Sequence, residues 1–189
     1  LAEFFSEYGD RHGNKKLSWR DDQQRFRDYL LPALGKRKLS GIDRAMNMYL
    51  RAKGYCMRAL DARYPGLSAK LLADPDAALA QTTKKDVELL YWTAASWGSA
   101  MSLGKDQPDL VVDFPVVRAL ASRALALDPE WNNGGIHEFF ITLESQPEVL
   151  GGSPERARQH FAEAIRIQKG QLPGPFVELA EGQSIGNQD

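Results

Sequence analysis

The 189-residue, 21.1 kDa chain is 43% hydrophobic and 26% charged, enough apolar content for one substantial core and too much for a disordered chain. Its 24 Lys and Arg nearly cancel its 25 Asp and Glu, which leaves no net field to draw it to nucleic acid or an anionic membrane. The lone Cys56 excludes an internal disulfide, and no apolar run approaches the roughly 18 residues of a membrane-spanning helix.

The periodicity predicts helices nearly throughout and no strand. Ser18 and Asp21 resemble a capping signal before a helix over 20–34, with Phe26, Tyr29, Leu30 and Leu34 on its apolar face. Ser40 and Asp43 repeat the pattern before a helix over 42–63, which Pro65 and Gly66 end. Residues 71–80 read as irregular. Thr83 and Asp86 cap the strongest helix, whose face carries Val87, Leu90, Tyr91, Ala94, Gly98 and Met101. A polar loop follows over 104–110. Asp113 then serves as N-cap, with Pro115 in the first turn, for a helix that Pro129 stops. Residues 134–145 place Ile136, Phe139, Phe140 and Leu143 at helical spacing. Ser153 and Pro154 open the next helix, and Gly170 and Pro173 close it. Short amphipathic helices must pack on neighbours to be stable, and short connections favour antiparallel pairs.

Two of these hairpins end alike. Ala157, Phe161 and Ala164 match the second-helix half of a tetratricopeptide (TPR) unit, and Ala121, Ala124 and Pro129 match the spacing of that pattern's last three marks. Ala126–Pro129 reads Ala-Leu-Asp-Pro, a familiar TPR ending, whereas Lys169 stands where the terminal Pro would be and the loop before Asp113 is long. The expected fold is all-α, with antiparallel helical hairpins stacked as a degenerate TPR-like superhelix in a single domain over 1–189.

Several marks in one order resemble a known family: Tyr49-Leu50-Arg51-Ala52 with Tyr55 and Arg58-Ala59-Leu60, Leu90-Tyr91-Trp92 with Trp97-Gly98, and Arg123-Ala124-Leu125 with Leu127-Asp128-Pro129. Gly135, His137-Glu138, Gly151-Gly152, Ala157-Arg158, His160-Phe161, Ala164, Gly170 and Gln188-Asp189 continue it. Over residues 41–189 the chain is similar to the T component of TRAP transporters, while residues 1–40 match weakly. The resemblance implies a noncatalytic periplasmic accessory protein, often lipid-anchored in its precursor. It also implies a homo-oligomer, with a trimer as one form. Such a protein contacts the periplasmic solute-binding protein of a TRAP transporter and a small organic or hydrophobic ligand. Leu1–Tyr8 is no basic-then-apolar export signal, and because Leu1 is not Met, a trimmed or mature chain is expected.

The candidate ligand- or partner-binding residues are Trp92, Trp97, Trp131, His137 and Glu138. Trp92 and Trp97 lie five positions apart, which at about 100° per residue puts them on different sides of one helix. One is expected to fill the hairpin core and the other to face a groove or an adjacent subunit. Trp131, after a helix stop, is placed to pack as a lid on the next hairpin. His137 and Glu138 sit beside the apolar stripe of their helix and could line a pocket mouth. Alternatively, His137 bonds a neighbouring helix and Glu138 complements the positive helix start. Cys56, among apolar neighbours, reads as a buried small hydrophobe.

No nucleophile–base pair, phosphate loop or metal-ligand spacing is visible, so neither catalysis nor a cofactor nor a metal is expected. His137-Glu138 lacks the second histidine of a zinc helix, and Gly151-Gly152 before Ser153 reads as a turn feeding an N-cap. Three readings of function remain. An apolar tunnel would favour ligand handling beside a solute receptor, a polar peptide groove would favour a generic TPR scaffold for an extended peptide, and paired buried carboxylates in a cleft would favour a hydrolase.

Overall fold

A computed structural model describes Gln24, residues 37–104 and residues 107–185, without the side chains of 37–40 and 183–185. The helix expected over 20–34 lies, Gln24 apart, outside the described residues. The chain divides into two compact units, Leu1–Asn47 and Met48–Asp189, and the buried core lies in the second. The described residues are helical, with no strand among them, as the periodicity predicts.

Helix α1 (Arg37–Arg63) starts earlier than Ser40 and Asp43 suggest, so Ser40 lies inside it rather than capping it. It ends where Pro65 and the left-handed Gly66 (φ 76°) require. The stretch expected to be irregular forms two short helices, α2 (Leu67–Ala73) and α3 (Pro75–Leu79). Each buries two apolar side chains: Leu67 and Leu71 in α2, Ala78 and Leu79 in α3. Asp74 caps α3 by accepting from the Ala77 amide at 3.1 Å, with Pro75 in the first turn. These pieces are too short for a 3.6-residue period to declare itself.

Thr83 and Asp86 form the capping box that their spacing predicts, leading into α4 (Val87–Leu103). The buried Asp86 carboxylate also accepts from Arg63 and Tyr64, each at 2.6 Å. Burial works to raise its pKa, but the bonds from Tyr64, Thr83 and Arg63 prevail and hold it at about 2. Asp86 thereby ties the end of α1 to the start of α4.

The 104–110 loop contains one helical turn, α5 (Pro108–Val111). Helix α6 (Phe114–Leu127) follows with Asp113 at the N-cap position, although the Asp113 side chain makes no capping bond. Helix α7 spans Trp131–Glu144, but Asn132, Asn133 and Gly134 are all left-handed (φ 49°, 56° and 84°), so Trp131 stands on a sharp bend before the regular part. Ser153 caps α8 (Pro154–Gln168) by accepting from the Arg156 amide at 3.3 Å. Beyond it come α9 (Gly174–Leu179) and a π-helical turn, Ala180–Ile185, neither of which the periodicity predicts. A carbon branch at Gly152 would overlap the Gln146 carbonyl, so only glycine lets the chain turn back from α7 into α8.

The packing follows from these pieces. Gly98 of α4 sits against Val117 of α6, while Lys84, just before α4, pairs with Asp128, just after α6, at 3.0 Å, so α4 and α6 are antiparallel. Gly134 sits against Ile167 and Arg156 bonds Glu144 at 2.9 Å, so α7 and α8 are antiparallel too. Tyr91 meets Trp131 and, further along both helices, Gly98 meets Phe139, so α4 and α7 run parallel. The core between them is built from Leu90, Ala94, Trp97, Leu120, Ala124, Ile136 and Phe140, all buried.

Candidate functional site

Where α4 and α7 end side by side, they leave a pocket of about 430 Å³. Gly98, Met101 and Ser102 of α4 form one wall, and Phe139, Thr142 and Leu143 of α7 form another. Phe114 at the start of α6, Leu150 of the α7–α8 turn and Glu178 of α9 close the rest. The helices approach closely here because position 98 lacks a side chain: a Cβ there would lie 3.3 Å from Phe139 Cζ and 3.6 Å from Val117 Cγ1. Apolar surface dominates, and the Thr142 hydroxyl donates to Glu178 Oε2 at 2.5 Å. A mostly apolar cleft of this size with a few fixed polar groups suits a small organic ligand.

Phe139 also belongs to an aromatic cluster on its other side. Tyr91 stands 4.7 Å from Trp131, 5.1 Å from Trp92 and 6.0 Å from Phe139, measured between ring centroids. Trp92 is 50% exposed. The left-handed bend swings Trp131 back onto the preceding hairpin, onto Tyr91, rather than onto the hairpin that comes after it in sequence.

Trp97, on the opposite side of α4 from Trp92, is buried in the core. Lys53 Nζ sits 3.2 Å from the centre of its ring, and burial pushes the Lys53 pKa down while Asp113 works to raise it. The two tryptophans thus divide between core and surface as their spacing implies. Cys56 is half-buried, and burial raises its thiol pKa, an inert setting for a free cysteine.

His137 bonds a neighbouring helix, and its partner is another histidine: His137 Nδ1 and His160 Nδ1 are 3.0 Å apart, with His160 stacked on Phe140 at 4.6 Å. One ring must donate and the other accept, so the pair is satisfied only while at least one ring is neutral. Burial lowers both pKa values. For His160, where His137 adds to the effect and Glu144 works upward against Arg156 and Arg118, the value falls to about 4. Near His137, Glu163 works upward and Arg166 downward. Since the unfolded rings titrate near 6.5, the unfolded chain binds more protons than the folded one between pH 6.5 and 4. Stability is therefore expected to hold above pH 6.5 and to fall by on the order of 2 kcal/mol on acidification to pH 4. Urea unfolding across this range checks it: His160→Phe should flatten the slope, and an unchanged slope would refute the assignment.

Glu138 accepts from Gln168 on α8 and abuts Gly174 at the start of α9, where its charge complements the helix end. Of Trp92, Trp97, Trp131, His137 and Glu138, none lines the pocket, although Trp92 and Trp131 connect to it through Tyr91 and then Phe139. The pocket residues missed in the sequence are chiefly Thr142 and Glu178. Phe139 and Leu143 carried a signal, as members of the apolar stripe of their helix.

Nearby, Glu144 is buried with both oxygens engaged: Arg118 bonds Oε1, and Arg156 bonds Oε2 at 2.9 Å. Burial works to raise its pKa, and the bonds from Arg156 and Arg118 more than reverse this. Both arginines also donate to the Gly151 carbonyl, at 3.1 Å from Arg118 and 2.5 Å from Arg156. This network pins the α7–α8 turn that forms one edge of the pocket.

Among the described residues no group of three or more His, Cys, Asp or Glu side chains is arranged to hold a metal, and no helix is long and apolar enough to cross a membrane. In comparisons with known proteins, the family model for the TRAP transporter T-component matches residues 27–189, reaching further toward the N-terminus than the resemblance over 41–189. No curated protein matches the chain.

Proposed function

Because the chain belongs to the TRAP transporter T-component family, an accessory family of these transporters, we propose that it works by binding the transporter's periplasmic solute receptor without catalysing a reaction. The match over most of the chain is the observation that carries this reading. On it rest the periplasmic location, a lipid anchor in the precursor and assembly into a homo-oligomer, with a trimer as the form to test. The two antiparallel hairpins with parallel first helices support a degenerate TPR-like arrangement. The apolar pocket at their ends supports the binding of a small organic ligand.

Within this reading Trp92, half exposed beside Tyr91, contributes to the partner surface, since a large amphipathic ring on a rigid helix has the character of a binding hot spot. Trp131 supports it from behind, and Trp97, His137 and Glu138 hold the helices that shape the pocket. Calorimetry with the TRAP solute receptor from the same organism, with and without its solute, tests the proposal. Saturable binding is expected, and Trp92→Ala should weaken it by about tenfold or more with the circular dichroism unchanged. Absence of binding between folded partners would instead leave a generic TPR scaffold.

A further inference from the structure

The charge of the pocket narrows its occupant. Among the described residues lining it, Glu178 is the sole ionisable one, and the other polar groups are the hydroxyls of Ser99, Ser102 and Thr142 and the amide of Gln146. Within the described residues no Lys, Arg or His reaches the pocket, and Glu178 takes part in no ion pair; only the Thr142 hydroxyl bonds it. Arg118 of α6, whose guanidinium stands 5.8 Å from the centre of the Phe114 ring, is committed to Glu144 and to the Leu143 and Gly151 carbonyls.

The backbone adds to this bias. Two helices of full length, α4 and α7, finish at the pocket and one, α6, begins there, so carbonyl ends outnumber amide ends. A second carboxylate, Glu138, stands one turn of α7 before Thr142. Burial first, and then the fields of Glu138 and Glu178 together, raise the pKa of the Tyr91 hydroxyl, so the negative potential extends to the aromatic cluster. A carboxylate ligand entering here would leave its charge in apolar surroundings beside Glu178, with no cation among the described lining residues to receive it. An ammonium group would find Glu178 already oriented by Thr142, and hydroxyls around it to complete its bonds.

We propose that this pocket takes an apolar molecule bearing a cationic, ammonium-type head, which Glu178 receives, and that it rejects organic anions. The inference rests on the reading of the pocket as a ligand site, and three probes with one apolar body separate the two ideas. Calorimetric titration of the full chain at neutral pH with n-octylammonium, n-octanol and n-octanoate should rank them in that order. The ammonium is expected to bind about tenfold or more tighter than the carboxylate. Glu178→Gln should bring the three within about twofold of one another, and Glu178→Lys should invert the order. Ser102→Phe, which fills the pocket from a partly solvated position, should abolish all three. Thermal melts of each variant establish that it is folded. If octanol binds and is lost in Ser102→Phe while octanoate matches octylammonium, the pocket is a ligand site and the cationic preference is wrong. If none of the probes binds, both ideas fall.

Discussion

Replacing Trp97 by alanine is expected to lower the unfolding free energy by about 4 kcal/mol, the range found when a fully buried aromatic is truncated in a core that relaxes only in part. The ring is 1% exposed, packs among the buried faces of α4 and its neighbours, and carries Lys53 over its face. Truncation removes the apolar contact and leaves a half-buried ammonium without its π partner. The informative comparison is Trp97→Phe. Trp97 Nε1 is buried and has no hydrogen-bond partner among the described residues, so the indole N–H brings a desolvation cost that phenylalanine does not. That relief offsets much of the lost area, and Trp97→Phe is expected to stay within about 1 kcal/mol of the wild type. Denaturant unfolding of both variants checks this, and equal large losses would mean that the N–H has a partner in solution.

The second large effect is expected at Glu144. Glu144→Ala should cost about 3 kcal/mol, because it removes the shared acceptor of two guanidinium groups. The loss falls unequally. Arg156 is about half exposed and recovers water, whereas Arg118 is three-quarters buried and is left with backbone carbonyls alone. Arg156→Ala is therefore expected to cost no more than about 1 kcal/mol, and Arg118→Ala clearly more. Chemical denaturation ranks the three. A Glu144→Ala loss under about 1 kcal/mol would show that the buried network contributes little beyond what hydrophobic packing supplies.

Much of the fold was legible in the sequence because helices here are announced by local chemistry. Thr83 and Asp86, and Ser153 with Pro154, mark boundaries through caps between near neighbours, Pro65 with Gly66 through its missing amide and left-handed turn, and those boundaries stand. Where the signal is not local the reading fails. Leu67, Leu71 and Leu79 form helices too short to show a period, and α9 owes its place to contacts with α7 and α8 distant in sequence. Gly134 reads as a helix start, yet the left-handed Asn132 and Asn133 before it belong to the same bend, and asparagine is the non-glycine residue best suited to that conformation.

The candidate site was less legible, for the same reason. Trp92 and Trp97 were separable by angle alone, but the meeting of His137 with His160 depends on how α7 and α8 align, and Glu178 reaches the pocket only because α9 folds back. A pocket between helix ends is a property of packing, and Glu178 sits in a stretch whose periodicity gives no hint of it.

The pairing of each helix with its successor also governs how the molecule reaches its fold. Helix α4 closes on α6 and α7 on α8, partners near in sequence, so the loops that must close are modest and the hairpins are expected to form early in folding. Each hairpin is in turn expected to open as a unit, and backbone-amide exchange that falls into two protection classes, one per hairpin, would show it.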